Sequence, residues 1–249
     1  KAQKLVDVVA YEDVYHDAIR KALKVAKDEE YNTVSITDYT QKTVTTSINL
    51  DTSNEIAIIY AQGEIQSGEG DVNVIGEGSM RRSLQEARKN KDVKAIVLRI
   101  DSPGGNALTS DLIWREIKLT KKVKPVVVSM GNYAASGGYY IACNANKIFA
   151  ENNTITGSIG VFGILPNFTV IANRYGINTE QVRTHENASD YSPFVPLDEK
   201  FKAVTLESIE HIYKTFVVHV AEGRKMTFAQ VDAIAQGRVW TGSDAVKIG

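Results

Sequence analysis

VKAIVLRIDSPGG, residues 93–105, is an apolar, largely aliphatic run that ends in serine, proline and two glycines. It lacks the alternation of a half-buried strand and the length of a helix. It therefore reads as a strand buried on both faces, as in parallel sheets. NALTSDLIWREIKLTKK (106–122) follows with a helical apolar period through Leu108, Leu112, Ile113, Ile117 and Leu119. KPVVVSMGNYAASGG (124–138) then repeats the theme: a buried strand running into a loop of small residues. Strand, loop and helix in alternation argue for an α/β fold with parallel strands and right-handed crossovers. In such sheets, ligands bind beyond the carboxyl ends of strands. Two of those ends are DSPGG and MGNYAASGG.

Outward from this centre, EIAIIYAQGEI (55–65) reads as a strand broken at Gly63. GDVNVIGEGS (70–79) reads as a glycine-rich loop, with Ser79 capping a helix through residues 80–90. GGYYIACNANKIFAENN (137–153) predicts a helix and then a short strand through Ile148 and Phe149. TITGSIGVFGIL (154–165) predicts a third apolar strand, and NFTVIANRYGI (167–177) a helix closing at Gly176. Residues 198–225 predict a long helix with Phe201, Val204, Leu206, Ile209, Ile212, Phe216 and Val220 apolar. A last helix follows Thr227 as cap. Towards the N-terminus, Tyr11 to Glu30 carry a helical period, and YNTVSITDYTQ (31–41) reads as a linker or edge strand.

Composition excludes several classes. The 29 basic and 30 acidic residues nearly cancel, so there is no nucleic-acid footprint. The single cysteine, Cys143, permits no intrachain disulfide. No window approaches the roughly 18 consecutive apolar residues of a membrane span. No H-E-x-x-H, CxxC or compact His/Asp cluster suggests a metal, and no Gly-Lys-Ser/Thr follows the paired glycines to make a P-loop.

Three constellations remain. In DSPGGNALTS (101–110), Gly104 and Gly105 permit positive φ and close approach of a ligand, and the helix start that follows offers free amides. The segment is either half of an oxyanion hole or a plain strand-to-helix turn. Ser136 lies among Ala134, Ala135, Gly137 and Gly138, beside the free amide of Gly137. It is either an N-cap or a nucleophile presented as on a nucleophile elbow, although G-x-S-x-G is absent. TGSIGVFG (156–163), with Ser158, Ile159, Gly160 and Val161 at its centre, suits either tight packing or a groove to which an extended peptide adds as a strand. A serine nucleophile needs a base. His16, His211 and His219 fall on helices, His185 falls in a loop, and no feature selects one.

In this order and spacing, IVLRIDSPGG, KPVVVSMGNYAASGGYYIA, ITGSIGVFG and AQGRVWTGSDAVKIG resemble the signal peptide peptidase A family, also called protease IV. The resemblance runs from about Glu55 to the end and is nearest to the C-terminal half of the two-repeat form. It implies a crotonase/ClpP-like superfold of repeated ββα units and a serine–lysine dyad. Ser136 would be the nucleophile and Gly137 with Gly104 or Gly105 the oxyanion hole. The peptide would lie along Ser158–Val161, and no cofactor or metal is implied. Short family members carry the lysine in a segment ending SPF. Here VRTHENASDYSPF (182–194) puts Ala188 at or near that position, and no lysine lies between Lys147 and Lys200. In two-repeat members the lysine comes from the N-terminal repeat.

Residues 1–54 are accordingly expected to be the tail of that repeat plus a linker. AQKLVD (2–7) resembles the continuation of a stretch such as GSDAVKIG (242–249), and 55–249 is expected to be the serine-bearing domain, cut at its C-terminus. The resemblance further implies signal peptides as substrates, a homo-oligomer, an upstream membrane anchor, and the extracytoplasmic face of a bacterial inner membrane. Nucleic acid is not implied. Two rival expectations stand beside it: a crotonase-type acyl-CoA enzyme, and a catalytically silent peptide-binding or assembly module.

Overall fold

The computed structural model describes residues 8, 10–26, 29, 31, 54–185, 188 and 191–249. The readings of 2–7 and of most of 31–41 lie outside these residues. The chain divides into two units, 1–55 and 56–249. The first contains helix α1 (Glu12–Leu23), with acidic residues in its first turn, basic residues in its last and none buried. Such a charge arrangement complements the helix dipole.

From the boundary onward, β1 (Glu55–Gln62) and β2 (Glu64–Gln66) are separated by Gly63 at φ 95°. A side chain there would collide with the Asn73 carbonyl at 1.7 Å, so glycine is required. The expected loop at 70–79 instead contains β3 (Val74–Gly76), which pairs in parallel with β2. Helix α2 (Glu77–Lys89) starts directly after it, and Gly76 rather than Ser79 takes the N-cap position. Ser79 falls inside the first turn. Met80, Leu84 and Ala87 form the buried face of α2.

β4 (Val93–Ser102), α3 (Ala107–Lys121) and β5 (Val126–Ala135) follow as expected. Next come α4 (Gly137–Ala142), β6 (Lys147–Phe149) and β7 (Ile155–Gly157). The third apolar strand is thus only three residues long. Gly157 and Ser158 take φ of 74° and 49°, which ends the extended conformation. α5 (Thr169–Arg174) and α6 (Glu199–Arg224) precede α7 (Phe228–Ile234), whose N-cap Thr227 forms a capping box with Gln230. β8 (Val239–Thr241) and α8 (Gly242–Ile248) complete the described chain. Among the described residues no helix is long and apolar enough to cross a membrane.

The main sheet runs β1-β4-β5-β7-β8, with β6 on the early part of β5. The β4–β5, β5–β6 and β5–β7 pairs are parallel and β7–β8 is antiparallel. The core lies on one face of this sheet. Ile59, Ile96, Leu98, Ile100, Val126 and Val128 pack there against Leu84, Ile113, Ile117 and Ile141. A second cluster, with Trp114, Cys143, Phe216, Val217 and Val220, packs α3 and α4 against α6 and α7. Between Ile100↔Met130 and Ser102↔Ala134, β5 spends four residues where β4 spends two. Asp101 fills the bulge by accepting the Tyr133 N–H at 3.0 Å. The extra residues set where β5 delivers its last residue, and therefore where Ser136 stands.

Candidate active site

β5 ends at Ala135 and α4 begins at Gly137, so Ser136 occupies the junction. Its φ is 51° and its ψ −121°, far from the left-handed helical well, and its side chain makes no capping hydrogen bond. Such backbone geometry costs an L-residue on the order of 1–3 kcal/mol and persists only when neighbours enforce it. They do here: the Ser136 N–H donates to the Gly157 carbonyl at 3.0 Å, and its carbonyl accepts from Tyr140 N–H at 2.9 Å. The hydroxyl takes the N-cap position without the bond that normally rewards a serine there.

The β4 turn comes up against this junction. A Cβ on Gly104, at φ 109°, would lie 2.7 Å from the Gly137 nitrogen and 2.8 Å from Ser136 Cβ. A Cβ on Gly137 would lie 3.2 Å from the Gly105 nitrogen and 2.6 Å from Ser110 Oγ. Glycine is needed at 104 and 105 because a Cβ would meet main chain at 2.7 and 2.1 Å, and at 137 because it would meet a buried hydroxyl. Ile65 of β2 pairs with the turn on its far side. Its N–H donates to the Gly104 carbonyl at 2.8 Å, and its carbonyl accepts from Asn106 N–H at 2.7 Å. The Gly104 N–H donates to Ser102 Oγ at 3.2 Å. Among the described residues, the N–H groups of Gly105 and Gly137 have no such acceptor. Of the two glycines named for the β4 side of an oxyanion hole, Gly105 is the one with an amide to spare.

Ser136 opens onto a cleft of about 620 Å³. One wall is the turn Pro103–Ala107; another is Ile209, Ile212 and Phe216 of α6; the third is Ser158, Gly160, Val161 and Phe162. A smaller recess, which shares Ser136 and the Ser158–Phe162 wall, reaches Tyr213, Gln236 and Gly237. This size suits a few residues of peptide. Ile159 departs from the expected role: its side chain is 3 % exposed and belongs to the second core cluster. The Ser158 N–H is already donated to Arg238 O at 2.7 Å, and the Ile159 carbonyl accepts from Gly237 N–H at 2.9 Å. One edge of the 158–161 segment is therefore occupied by the chain itself.

The α6 wall and Ser102 were not singled out from sequence as parts of a site. The 3.6-residue period of α6 marks Ile209, Ile212 and Phe216 as one face but cannot say that the face borders a cleft. No lysine, arginine or histidine lines either cavity among the described residues. His185 is exposed, bonded to its neighbour Thr184 Oγ1, and lines neither cavity; Asp190 lies outside the described residues. His219 stacks on Trp114 with ring centroids 3.5 Å apart, and its Nε2 lies 3.1 Å from Asp111 Oδ1. The same carboxylate oxygen accepts from Tyr140 OH at 2.7 Å. This network braces α3, α4 and α6 behind the cleft.

Known proteins resemble the chain over most of its length. The chain is 40% identical over 223 residues to Protease 4 of Haemophilus influenzae, covering 89% of this chain and 36% of that protein. It is 38% identical to the chloroplastic serine protease SPPA of Arabidopsis thaliana, covering 98% of this chain and 37% of that one. It is 33% identical to a putative protease of Synechocystis, covering 80% and 69% respectively. The chain thus spans little more than a third of the two longer relatives. A ClpP1 mutant from Listeria monocytogenes shares the fold, with a TM-score of 0.50, 17% identity, and coverage of 77% of this chain and 86% of that one. The parallel-rich α/β architecture is therefore of the ClpP/crotonase kind. The model for peptidase family S49 matches residues 118–249, which include Ser136 and the Ser158–Val161 wall; with that match over more than half its length and these relatives, the chain belongs to peptidase family S49.

Proposed function

We propose that this chain carries the nucleophile, oxyanion hole and part of the peptide cleft of a serine endopeptidase. Ser136 Oγ attacks a peptide carbonyl and passes its proton to a base. The carbonyl oxygen becomes an oxyanion between the amides of Gly105 and Gly137. Collapse breaks the C–N bond as the base returns the proton to the leaving nitrogen. Water, deprotonated by the same base, then releases the acyl group from Ser136. Main-chain amides held in place before reaction stabilise the developing charge without reorganisation.

The observation that carries this reading is the strained, uncapped Ser136 in a cleft beside two amides without acceptors. The base is proposed to be a neutral lysine amine from another part of the full-length protein. Desolvation lowers a lysine pKa towards that form. Among the described residues the cleft walls supply no such group, so the isolated chain is expected to be inactive. The proposed substrates are cleaved signal peptides at the extracytoplasmic face of a bacterial inner membrane, taken up in extended form. The full-length protein is proposed to be a homo-oligomer with an upstream anchor.

The test uses the full-length protein with Ser136→Ala. A fluorophosphonate is expected to label wild type at Ser136 and leave the variant unlabelled. Peptide cleavage should fall by about 10⁶-fold, the scale seen when a serine nucleophile is removed. Undiminished cleavage by Ser136→Ala refutes the mechanism.

A further inference from the structure

We propose that Ser102 is a positioning residue for the oxyanion hole, an inference that rests on the serine-peptidase reading above. Ser102 is fully buried at the last position of β4, paired with Ala134 of β5. Its hydroxyl accepts the Gly104 N–H at 3.2 Å. Its carbonyl and Cβ also crowd Gly138, where an added Cβ would meet them at 2.7 and 3.2 Å. One side chain thus touches both the β4 turn and the first turn of α4, the two segments that carry the amides of Gly105 and Gly137.

The peptide planes explain why this matters. A trans peptide points its N–H opposite to its C=O. The Gly104 carbonyl is held by Ile65 N–H, so the Gly105 N–H in the same plane is directed away from the Ile65 main chain. Among the described residues, the preceding plane is held through the Gly104 N–H on Ser102 Oγ. Gly104 at φ 109° is the hinge between the two planes, and glycine is the residue least able to hold a hinge by its own sterics. Without the Ser102 hydroxyl, a buried N–H loses its acceptor and the turn can relax by rotating at Gly104. The Gly105 amide turns with it. Pro103 has no N–H of its own to replace the bond.

The test is made in the full-length protein with Ser102→Ala. The expected result is a fall in kcat of about 100-fold, the scale of a misplacement near 1 Å, with KM within threefold of wild type. Two inhibitors separate positioning from general damage. A peptide aldehyde forms a hemiacetal with Ser136 and places an oxyanion in the hole; the corresponding alcohol binds the same cleft without one. Ser102→Ala should weaken the aldehyde by about the same factor as kcat and leave the alcohol unchanged. Ser102→Thr, which keeps a hydroxyl, should retain most of the aldehyde's advantage. If Ser102→Ala does not accumulate as folded protein, Ser102→Cys keeps the side chain in place with a poorer acceptor and should show the same selective loss. Equal weakening of both inhibitors, or no change in either, overturns the proposal. Ser136→Ala run in parallel reports on the underlying reading: if that variant still cleaves peptide, the peptidase mechanism fails, whatever Ser102 does.

Discussion

Gly137→Ala offers a quantitative check on how closely the β4 turn and α4 are pressed together. The new methyl would lie 2.6 Å from Ser110 Oγ, 3.1 Å from Ile65 Cδ1 and 3.2 Å from the Gly105 nitrogen. The Ile65 contact is the end of a flexible side chain and yields easily. The hydroxyl is fully buried and donates to the Asn106 carbonyl at 2.8 Å, so it cannot simply swing away. Overpacking of this kind costs about 1–3 kcal/mol. Taking about 2 kcal/mol, the melting temperature of a chain this size should fall by roughly 4–8 °C. Ser110→Ala on its own should cost only about 0.5–1.5 kcal/mol. The Asn106 carbonyl keeps its bond from Ser110 N–H at 3.0 Å. Combined, the two changes should cost less than their sum by about 1 kcal/mol or more, measured by urea unfolding of the four proteins of the cycle. Strict additivity, within about 0.5 kcal/mol, would falsify the contact. The double variant carries a second expectation. It stays about 1.5–2.5 kcal/mol less stable than wild type, and the methyl still presses on the Gly105 amide, so fluorophosphonate labelling of Ser136 in the full-length protein should remain slow.

Two further outcomes follow from buried groups. Burial pushes the Cys143 thiol from 9.0 up to about 12 and the Tyr139 phenol from 10.0 up to about 12. Their neutral forms persist in the fold while the unfolded chain ionises, so stability is complete below about pH 9 and is lost as pH climbs from there towards 12. Each group contributes about 1.4 kcal/mol per pH unit within its window, and Cys143→Ala should reduce the alkaline slope of urea-unfolding free energy by close to one proton. Arg88 pairs with Glu116, whose side chain is only 6 % exposed, and also donates to Thr120 Oγ1 at 3.2 Å. Arg88→Ala should destabilise by about 3 kcal/mol in thermal unfolding, because it strands a buried carboxylate, whereas Arg88→Met with Glu116→Met should cost less than the single change.

The long apolar runs were readable as strands from their aliphatic composition, but not as strands buried on both faces: over most of β4 and the first half of β5, fully buried residues alternate with half-buried ones. β4, β5 and the helix between them fall where the sequence puts them. Short strands were not readable. β3 is three residues ending in a glycine, and it is a strand only because β2 lies alongside it. The segment after β7 looked like strand from its apolar content, yet Gly157 and Ser158 turn out of the extended region to make room for residues 237–238. Of the two readings left open for this segment, tight packing holds for Ile159, whose side chain faces the core. At the site, small residues around Ser136 signalled close approach without saying of what. The partner is the Gly104–Gly105 turn, more than 30 residues earlier. Its distance from Ser136 depends on the Asp101-filled bulge, a feature with no local signature.

Both amides beside Ser136 belong to the main chain, at positions where any Cβ would collide with backbone or a buried hydroxyl. A gene edits side chains; it cannot remove an amide except by installing proline. An inhibitor gripping these two N–H groups would therefore face a feature that single-codon resistance can scarcely alter. Escape would have to arise along the α6 wall, at the half-buried Ile209 and Ile212 rather than at Phe216, which is also part of the core, and compounds that avoid leaning on those two side chains should keep their potency longest.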